Sequence, residues 1–493
     1  MTQSVDPAVD ATSNGTAPES TPSLGKNEMG LTGSTIFAMA GAAPGQTIAI
    51  TLALLVTTAA YGTILPLLIT AAGLLCIAFS FHRLNMWRQN AGATYEWVSR
   101  ALSPYVGYMV GWLMLIAFGG FVLIDVITIG PSTLALIGVS PGNQFAGAVS
   151  IVVIGSLLTL TAVVGLKPSA RLQLTVAAIE YTIIGVFIVW AFIAVYVVHK
   201  AGTVHPNLHW LSFSGTGAGS FSASMVIAVA AIAGWDAGIY VNEETERPER
   251  NPGMGAVIGV AFLGLIFVLM FATFQGIAPL ADLNAHSSNA AAFVGQRLGG
   301  TAGEKVMSLA VVLSVLATTQ VAIIGTSRLL FSMSRDKVLP KRLGLVSERY
   351  RTPAFTTVLL GGVMIIFGII DIYQSSVANA INDLVAVSGF LYSLFYAITG
   401  LAAFWFYRKV VTKSAKDALL LGLLPLAGAG LLLWVAFKGG QNLTGAERGI
   451  LAGLGVLGII LMIVAARVYK APIFHAKRES ASTDEATLHV GAD

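Results

Sequence analysis

Three acidic residues stand inside otherwise apolar stretches of this 493-residue chain: Asp125, Glu180 and Asp236, with no Lys or Arg at comparable depth. A carboxyl group in such a place pairs with a cation, carries a proton, or stays protonated in a hydrogen bond to a neighbouring helix. A lone charge at mid-bilayer costs about 2.5 kcal/mol or more on insertion scales, so an ionisable group there points to function by default. Acids without basic partners suit a cationic ligand, a sodium ion or a transported proton. Asp236 follows Trp235 between Gly234 and Gly238, where its carboxylate can pair with an ammonium while the indole covers the cation or attracts it through the π face. Capping the helix that follows is its bland alternative. Glu180 can cycle a proton itself or help to ligate a cation. Asp125 lies on a longer stretch, and either meets the ligand or sits toward an outer vestibule.

The elements that must position these acids follow from composition. The chain is 55% hydrophobic and 11% charged, with mean hydropathy +0.78, which is more apolar surface than a soluble domain buries. Lipid is therefore its main solvent. A bilayer core of about 30 Å needs roughly 20 apolar residues per helical span, and twelve such stretches recur. They lie near Thr35–Thr57, Ile64–His82, Val106–Leu136, Gln144–Val164, Leu172–Val198, Phe221–Val241, Met254–Ile277, Val306–Met333, Ala354–Ile370, Ala380–Tyr407, Ala418–Phe437 and Gly449–Ala466. The runs are continuously apolar, without the polar–apolar alternation of a barrel wall, and helices are the remaining way to satisfy backbone groups in lipid. The expected fold is an all-α polytopic membrane protein. Residues 1–30, rich in Ser, Thr, Pro, Asp and Gly and without a basic leader, read as a disordered tail and not as a cleaved signal. The single cysteine, Cys76, excludes an internal disulfide and any thiolate metal cluster. No cofactor is expected.

Basic residues give an orientation. All but five of the 28 Lys and Arg fall in the tails, in the connections after even-numbered helices or, for Arg328, at the end of the eighth stretch; the exceptions are Lys200, Arg297, Lys305, Lys438 and Arg448. By the positive-inside rule both termini are cytoplasmic. The net charge of +4 then reflects topology and gives no reason to expect nucleic acid.

Three stretches on that basic side carry a family resemblance. The first is Asn90-Ala-Gly-Ala-Thr-Tyr-Glu-Trp-Val-Ser-Arg-Ala-Leu-Ser-Pro104, followed by Gly107 and Gly111-Trp112. The second is Gly234-Trp-Asp-Ala-Gly238 with Glu243-Glu244 and Pro248-Glu-Arg-Asn-Pro252. The third is Ser327-Arg-Leu-Leu-Phe-Ser-Met-Ser-Arg-Asp-Lys-Val-Leu-Pro340 with Arg351-Thr-Pro353. In this order and spacing they resemble the amino acid–polyamine–organocation superfamily of permeases. The resemblance implies a leucine-transporter-like fold: two inverted five-helix repeats, helices 1–5 and 6–10, with helices 1 and 6 broken at mid-membrane and helices 11 and 12 outside the repeat. The corresponding divisions are a transporter core over 31–407, helices 11–12 over 408–470 and a cytoplasmic tail over 471–493. Helix 1 is indeed interrupted by Gly41-Ala-Ala-Pro-Gly45 and helix 6 by Gly234-Trp-Asp-Ala-Gly238. Paired breaks are the best sequence pointer to a transporter's binding site, because unwinding frees backbone groups and half-helix dipoles for a ligand. Ala42, Ala43, Pro44, Gly45, Asp125, Gly234, Trp235 and Asp236 are therefore the expected substrate residues, and Glu180, Ser314 and Thr318 the expected coupling residues.

The resemblance also implies a bacterial cell-membrane importer of an amino acid or small organic amine, working by alternating access and coupled to a proton. Sodium coupling or exchange on the same fold is the alternative. Counting from Ser169-Ala-Arg-Leu172 puts Glu180 where some proton-coupled relatives carry a lysine whose amine replaces a sodium ion. Many amino-acid-transporting members have Gly-x-Gly in helix 1 to receive the substrate carboxylate; Ala42-Ala43-Pro44-Gly45 lacks it, which leaves room for a plain amine or polyamine. Gly215-Thr-Gly-Ala-Gly-Ser220 lacks the lysine of a nucleotide loop. The charged segment Asn242–Arg250 reads as a solvated cytoplasmic loop, with gating salt bridges as a further role and most of its charges bland. A membrane-embedded enzyme would need paired metal ligands or a nucleophile with its base, and the seven histidines sit at loops, ends or tails. A channel would carry repeated pore-lining patterns, and a sensor an appended domain.

Overall fold

A computed structural model describes residues 23–481 apart from 141, 213–217, 288 and 374–376. Twelve helices are long and apolar enough to cross a membrane: α1 (Leu31–Ala59), α2 (Ile64–Trp87), α3 (Pro104–Ile137), α4 (Gln144–Val164), α5 (Leu166–Val197), α6 (Phe221–Ile239), α7 (Asn251–Phe274), α8 (Ala290–Arg335), α9 (Ala354–Ile372), α10 (Asp383–Tyr407), α11 (Ala415–Asn442) and α12 (Gly445–Arg467). They correspond one to one with the twelve apolar stretches, and an isolated bridge between Met29 and Thr245 is the only β pairing among the described residues. The most apolar windows of α1 and α6 are 89% and 94% buried, against 11% for α12. The broken helices thus form the centre, and α12 stands at the lipid edge, tied to α3 by the Trp112 indole N–H on the Leu454 carbonyl at 2.9 Å. Large side chains such as Leu157, Phe437 and Ile450 point outward, as expected where hydrocarbon is the solvent.

Proline and glycine chemistry sets the break in α1. Its first half runs Leu31–Gly41 and its second Pro44–Ala59, with Ala43 at φ +43° between them. Pro44 has no N–H to donate to the carbonyl four residues back, and its ring would crowd that carbonyl, so the helix cannot run through; as the first residue of a new helix, Pro is well placed. In α6 the regular helix ends at Ile232, Gly234 takes φ +93°, and a 3-10 turn carries Trp235–Ile239. The two breaks touch backbone to backbone. A Cβ at Gly41 would lie 2.1 Å from the Gly234 carbonyl oxygen, and one at Gly234 would lie 2.2 Å from that of Gly41, so only glycine fits either position.

Some expectations need correction. The helix containing α8 starts at Ala290, well before Val306, but Gly299 and Gly300 interrupt it with non-helical backbone, so a short flanking helix joins the span at a kink. The motif between α2 and α3 folds as a short helix, Thr94–Ala101, that buries Tyr95 and Trp97 completely. Residues 23–30, counted above with a disordered tail, are packed: Leu24 lies against Ala91 and Phe331, and the amides of Gly25 and Glu28 donate to the carbonyls of Arg351 and Glu244 at 3.2 and 2.8 Å. Residues 1–22 and 482–493 lie outside the described residues, as do residues 215–217 of the Gly215–Ser220 stretch.

Candidate functional site

At the α1 break, the orphaned polar groups find partners on α5 and α8. The Glu180 Oε1 on α5 accepts the Gly45 amide at 3.1 Å. This carboxylate meets the first amides of the second half-helix, where the helix dipole favours negative charge. Ser314 on α8 faces Glu180, but its Oγ makes no closed hydrogen bond. One turn on, the Thr318 hydroxyl lies 2.8 Å from the Ala40 carbonyl and 3.1 Å from that of Ser314. The Ala40 carbonyl is the one that Pro44 cannot serve. The remaining amides here are turned inward: Ala42 donates to Met39 at 3.3 Å, Ala43 to Ala40 at 3.2 Å and Thr47 to Ala43 at 2.8 Å.

At the α6 break, Asp236 is fully buried and its Oδ1 accepts the Tyr396 hydroxyl at 2.6 Å. That hydroxyl in turn accepts the Gly234 amide at 3.1 Å, so Tyr396 on α10 ties the unwound backbone to the acid. Trp235 stacks on Tyr396 with ring centroids 5.0 Å apart and meets Phe81 edge-on at 4.9 Å. The indole therefore packs toward α2 and α10 and does not line the cavities described next. Asp236 Oδ2 has no partner.

Asp125 on α3, also fully buried, accepts the Thr319 hydroxyl of α8 on Oδ2 at 3.0 Å, and its Oδ1 has no partner. Gln46, in the first turn after the α1 break, is close to the same carboxyl. Two small cavities separate these groups. One of about 10 Å³ is lined by Gly41, Phe118, Phe121, Ala237, Thr318 and Tyr392; the other, of about 20 Å³, by Gln46, Thr47, Thr51, Phe121 and Ser388 among others. Each has room for about one water molecule, so the helices are closed around the breaks. Among the described residues, none of Asp125, Glu180 and Asp236 joins an ion pair. The structure thus gathers Ala42–Gly45 with Glu180, Ser314 and Thr318 at one break, Gly234–Asp236 with Tyr396 at the other, and Asp125 beside Thr319.

A sequence family described as amino acid permease matches residues 31–471, which takes in all twelve spans and both breaks. The chain belongs to the amino acid permease family. The permease is 24% identical over 411 residues to the low-affinity putrescine importer of Escherichia coli (strain K12), covering 81% of this chain and 85% of that one. It is 24% identical over 389 residues to the methylthioribose transporter of Bacillus subtilis (strain 168), covering 74% and 79%. To the branched-chain amino acid permease of the same organism it is 23% identical over 328 residues, covering 63% and 68%. These relatives differ in what they carry. The permease is a multi-pass membrane transporter for amino acids or amines, not an enzyme.

The permease also holds a charged network at the end of the bundle where the described chain begins and ends, and the solvated-loop reading of Asn242–Arg250 holds for the exposed Glu246, Arg247, Glu249 and Arg250 but is corrected at Glu243 and Glu244. Glu244 is 1% exposed and grips the fully buried Arg328 of α8 with two bonds, Nε to Oε1 at 2.8 Å and Nη2 to Oε2 at 3.1 Å. Glu243 holds Arg335 in the same bidentate way and also accepts the Ala91 amide at 2.8 Å. Asp336 accepts the Tyr95 hydroxyl at 3.0 Å. Burial, then the nearby Glu96 carboxylate, pushes the Asp336 carboxyl up to about 6, against the opposing pull of Tyr95, Arg335 and Arg100. The sequence reading missed Arg328, Tyr392 and Tyr396. Two tyrosines four residues apart on one face of an apolar span, and two arginines seven apart on α8 after a Glu-Glu pair, were the available signals.

Proposed function

We propose that this permease imports a small organic amine lacking a carboxylate, by alternating access and coupled to a proton, with both termini in the cytoplasm. The observation that carries the reading is the Gly45 amide donated to Glu180 at 3.1 Å. The backbone donor that could receive a substrate carboxylate already holds one belonging to the protein, and Pro44 beside it has no N–H. Asp125 and Asp236, buried without a basic partner, suit an ammonium. Glu180 is the proton carrier in this reading: it sits at the hinge of α1, where gaining or losing a charge changes its hold on the half-helix. Two touching glycine breaks in α1 and α6 support the inverted repeats of helices 1–5 and 6–10 as the moving units, within a core over 31–407. The excess of basic residues beside the terminal segments supports their cytoplasmic placement.

Sodium coupling is the second reading, favoured by the Ala40 carbonyl, the Thr318 and Ser314 hydroxyls and Glu180 standing together at the break. Uptake by the purified permease in proteoliposomes separates these readings. A labelled primary amine and its α-carboxylated counterpart are offered under an inward proton gradient, with and without sodium. Amine uptake that follows the proton gradient is expected. Uptake of the amino acid alone would overturn the amine reading, and a strict sodium requirement would replace the proton with sodium.

A further inference from the structure

Away from the breaks, a far larger space lies at the rim of the bundle. Its inner chamber, of about 630 Å³, is enclosed by α3, α8, α9, α10 and α12 and reaches from Asp383 and Glu447 to Leu330 and Leu360. A mouth of about 340 Å³ adjoins it, sharing Leu123, Phe367, Asp383 and Leu384 as walls and adding Asp371. The space opens sideways, because the wall residues Val363, Phe367 and Ile450 are 42, 50 and 64% exposed. A Cβ on Gly119, which also lines the chamber, would meet nothing within 4 Å. Along α9 the groove runs from Asp371 to Leu360, about 16 Å at 1.5 Å per residue, close to the roughly 15 Å of hydrocarbon in one leaflet. Water does not fill an apolar chamber, and the solvent around this face is hydrocarbon, so a lipid tail is the occupant that fits.

Charge at the mouth selects the head. Asp371 stands in the last turn of α9, at the negative end of the helix dipole, and that turn holds no basic side chain to offset it. Asp383 opens the α10 span, and among the described residues neither acid joins an ion pair. Glu447 differs, because its carboxylate accepts the Thr444 amide and caps α12. We propose that this groove binds one glycerophospholipid with a primary ammonium head, an ethanolamine lipid, whose ammonium bridges Asp371 and Asp383 while an acyl tail fills the chamber over Gly119. The three N–H donors of a primary ammonium serve two carboxylates. The quaternary ammonium of a choline lipid has no N–H, and a glycerol head brings no cation. Seated here, the lipid fastens α12 to a core that it touches lightly, its most apolar window being 11% buried. The site stands apart from both breaks and does not depend on what the permease carries.

Native mass spectrometry of the full-length permease tests this, after detergent extraction and incubation with an equimolar mixture of ethanolamine, choline and glycerol phospholipids bearing the same acyl chains. One ethanolamine lipid should be retained, on the order of fivefold or more over either competitor. Asp371→Asn combined with Asp383→Asn should bring those ratios to within about twofold of one. Gly119→Leu, which fills the chamber, should lower retention of all three lipids by about fivefold. Detergent melting shows which variants are folded; if the double variant is not, Asp371→Asn alone is read in the same way, with about half of the preference lost. Equal retention of the three lipids, a preference for the glycerol lipid, or an ethanolamine preference that survives in the folded double variant overturns the proposal. So does unchanged retention in folded Gly119→Leu, or a dimer that carries no lipid, which would make a second copy of the chain the occupant of this face.

Discussion

Replacing Glu180 with Gln separates coupling from binding. Glu180 is 1% exposed and bonded at 3.1 Å to the Gly45 amide, and Gln keeps its volume and an acceptor oxygen for that amide. The direct loss is the charge assistance of one hydrogen bond, about 1 kcal/mol from the difference between charged and neutral acceptors. A change of that size leaves the fold in place. What Gln cannot do is take up and release a proton. Under an inward gradient of about one pH unit, each proton carried supplies about 1.4 kcal/mol, which is roughly tenfold accumulation of substrate. We predict that wild-type proteoliposomes concentrate labelled amine by about that factor and follow the imposed gradient. Glu180→Gln should equilibrate to a ratio near one while still exchanging internal for external amine. If the variant accumulates as well as wild type, the proton travels elsewhere. If a folded variant neither accumulates nor exchanges, Glu180 belongs to the binding site itself and the coupling argument fails.

Three further outcomes follow from the packing. Gly234→Ala places a methyl 2.2 Å from the Gly41 carbonyl oxygen at a φ of +93°, and overpacking plus the left-handed backbone should cost about 2–5 kcal/mol; a detergent melting temperature equal to wild type would show that the two breaks separate easily. Arg328→Ala strands Glu244 in the closed network, at about 3–5 kcal/mol for breaking a buried pair, and the double replacement Arg328→Ala with Glu244→Ala should recover part of it; a double variant that melts no higher than the single would refute the pairing argument. Asp336 holds its proton to about 6 in the closed network, above the ordinary value of 3.8. Closure at this face therefore gains stability, at most about 3 kcal/mol, that is full below about 4 and lost as pH rises through about 6. Labelling of a cysteine placed at Ser332, in a Cys76→Ala background, should speed up across that window by more than the growing thiolate fraction supplies, and should follow the thiolate fraction alone in Asp336→Asn.

Length and polarity made the spans legible, because a run of apolar residues reports its solvent without reference to any partner. The breaks were equally local: Pro44 cannot serve the Ala40 carbonyl whatever surrounds it, and Gly234 alone tolerates its backbone. The intramembrane acids stood out by contrast with their neighbours. Their partners did not. Thr319 and Tyr396 read as ordinary span residues until the fold sets them against Asp125 and Asp236. Arg328 looked like one more loop cation because its depth depends on where α8 meets the α6–α7 connection. Leu24–Gly30 looked solvated because nothing in its composition announces Ala91, Phe331 and Glu244 as neighbours. Residues whose role is set by their own chemistry were found, and residues whose role is set by tertiary position were missed.

The order of synthesis gives the α1 break a further meaning. Gly45 leaves the ribosome 135 residues before the glutamate that accepts its amide, and the Ala40 carbonyl precedes the Thr318 hydroxyl by 278 residues. Unsatisfied backbone groups in hydrocarbon cost several kcal/mol each, so the nascent first helix has no stable resting place in lipid by itself. Insertion machinery, water or provisional helix contacts must shelter the break until α5 arrives, and the second bond to the Ala40 carbonyl, beside the local one from the Ala43 amide, waits for α8. A variant that weakens Glu180 or Thr318 should therefore be seen first in the yield of inserted protein during biogenesis, before it is seen in the melting of the finished transporter.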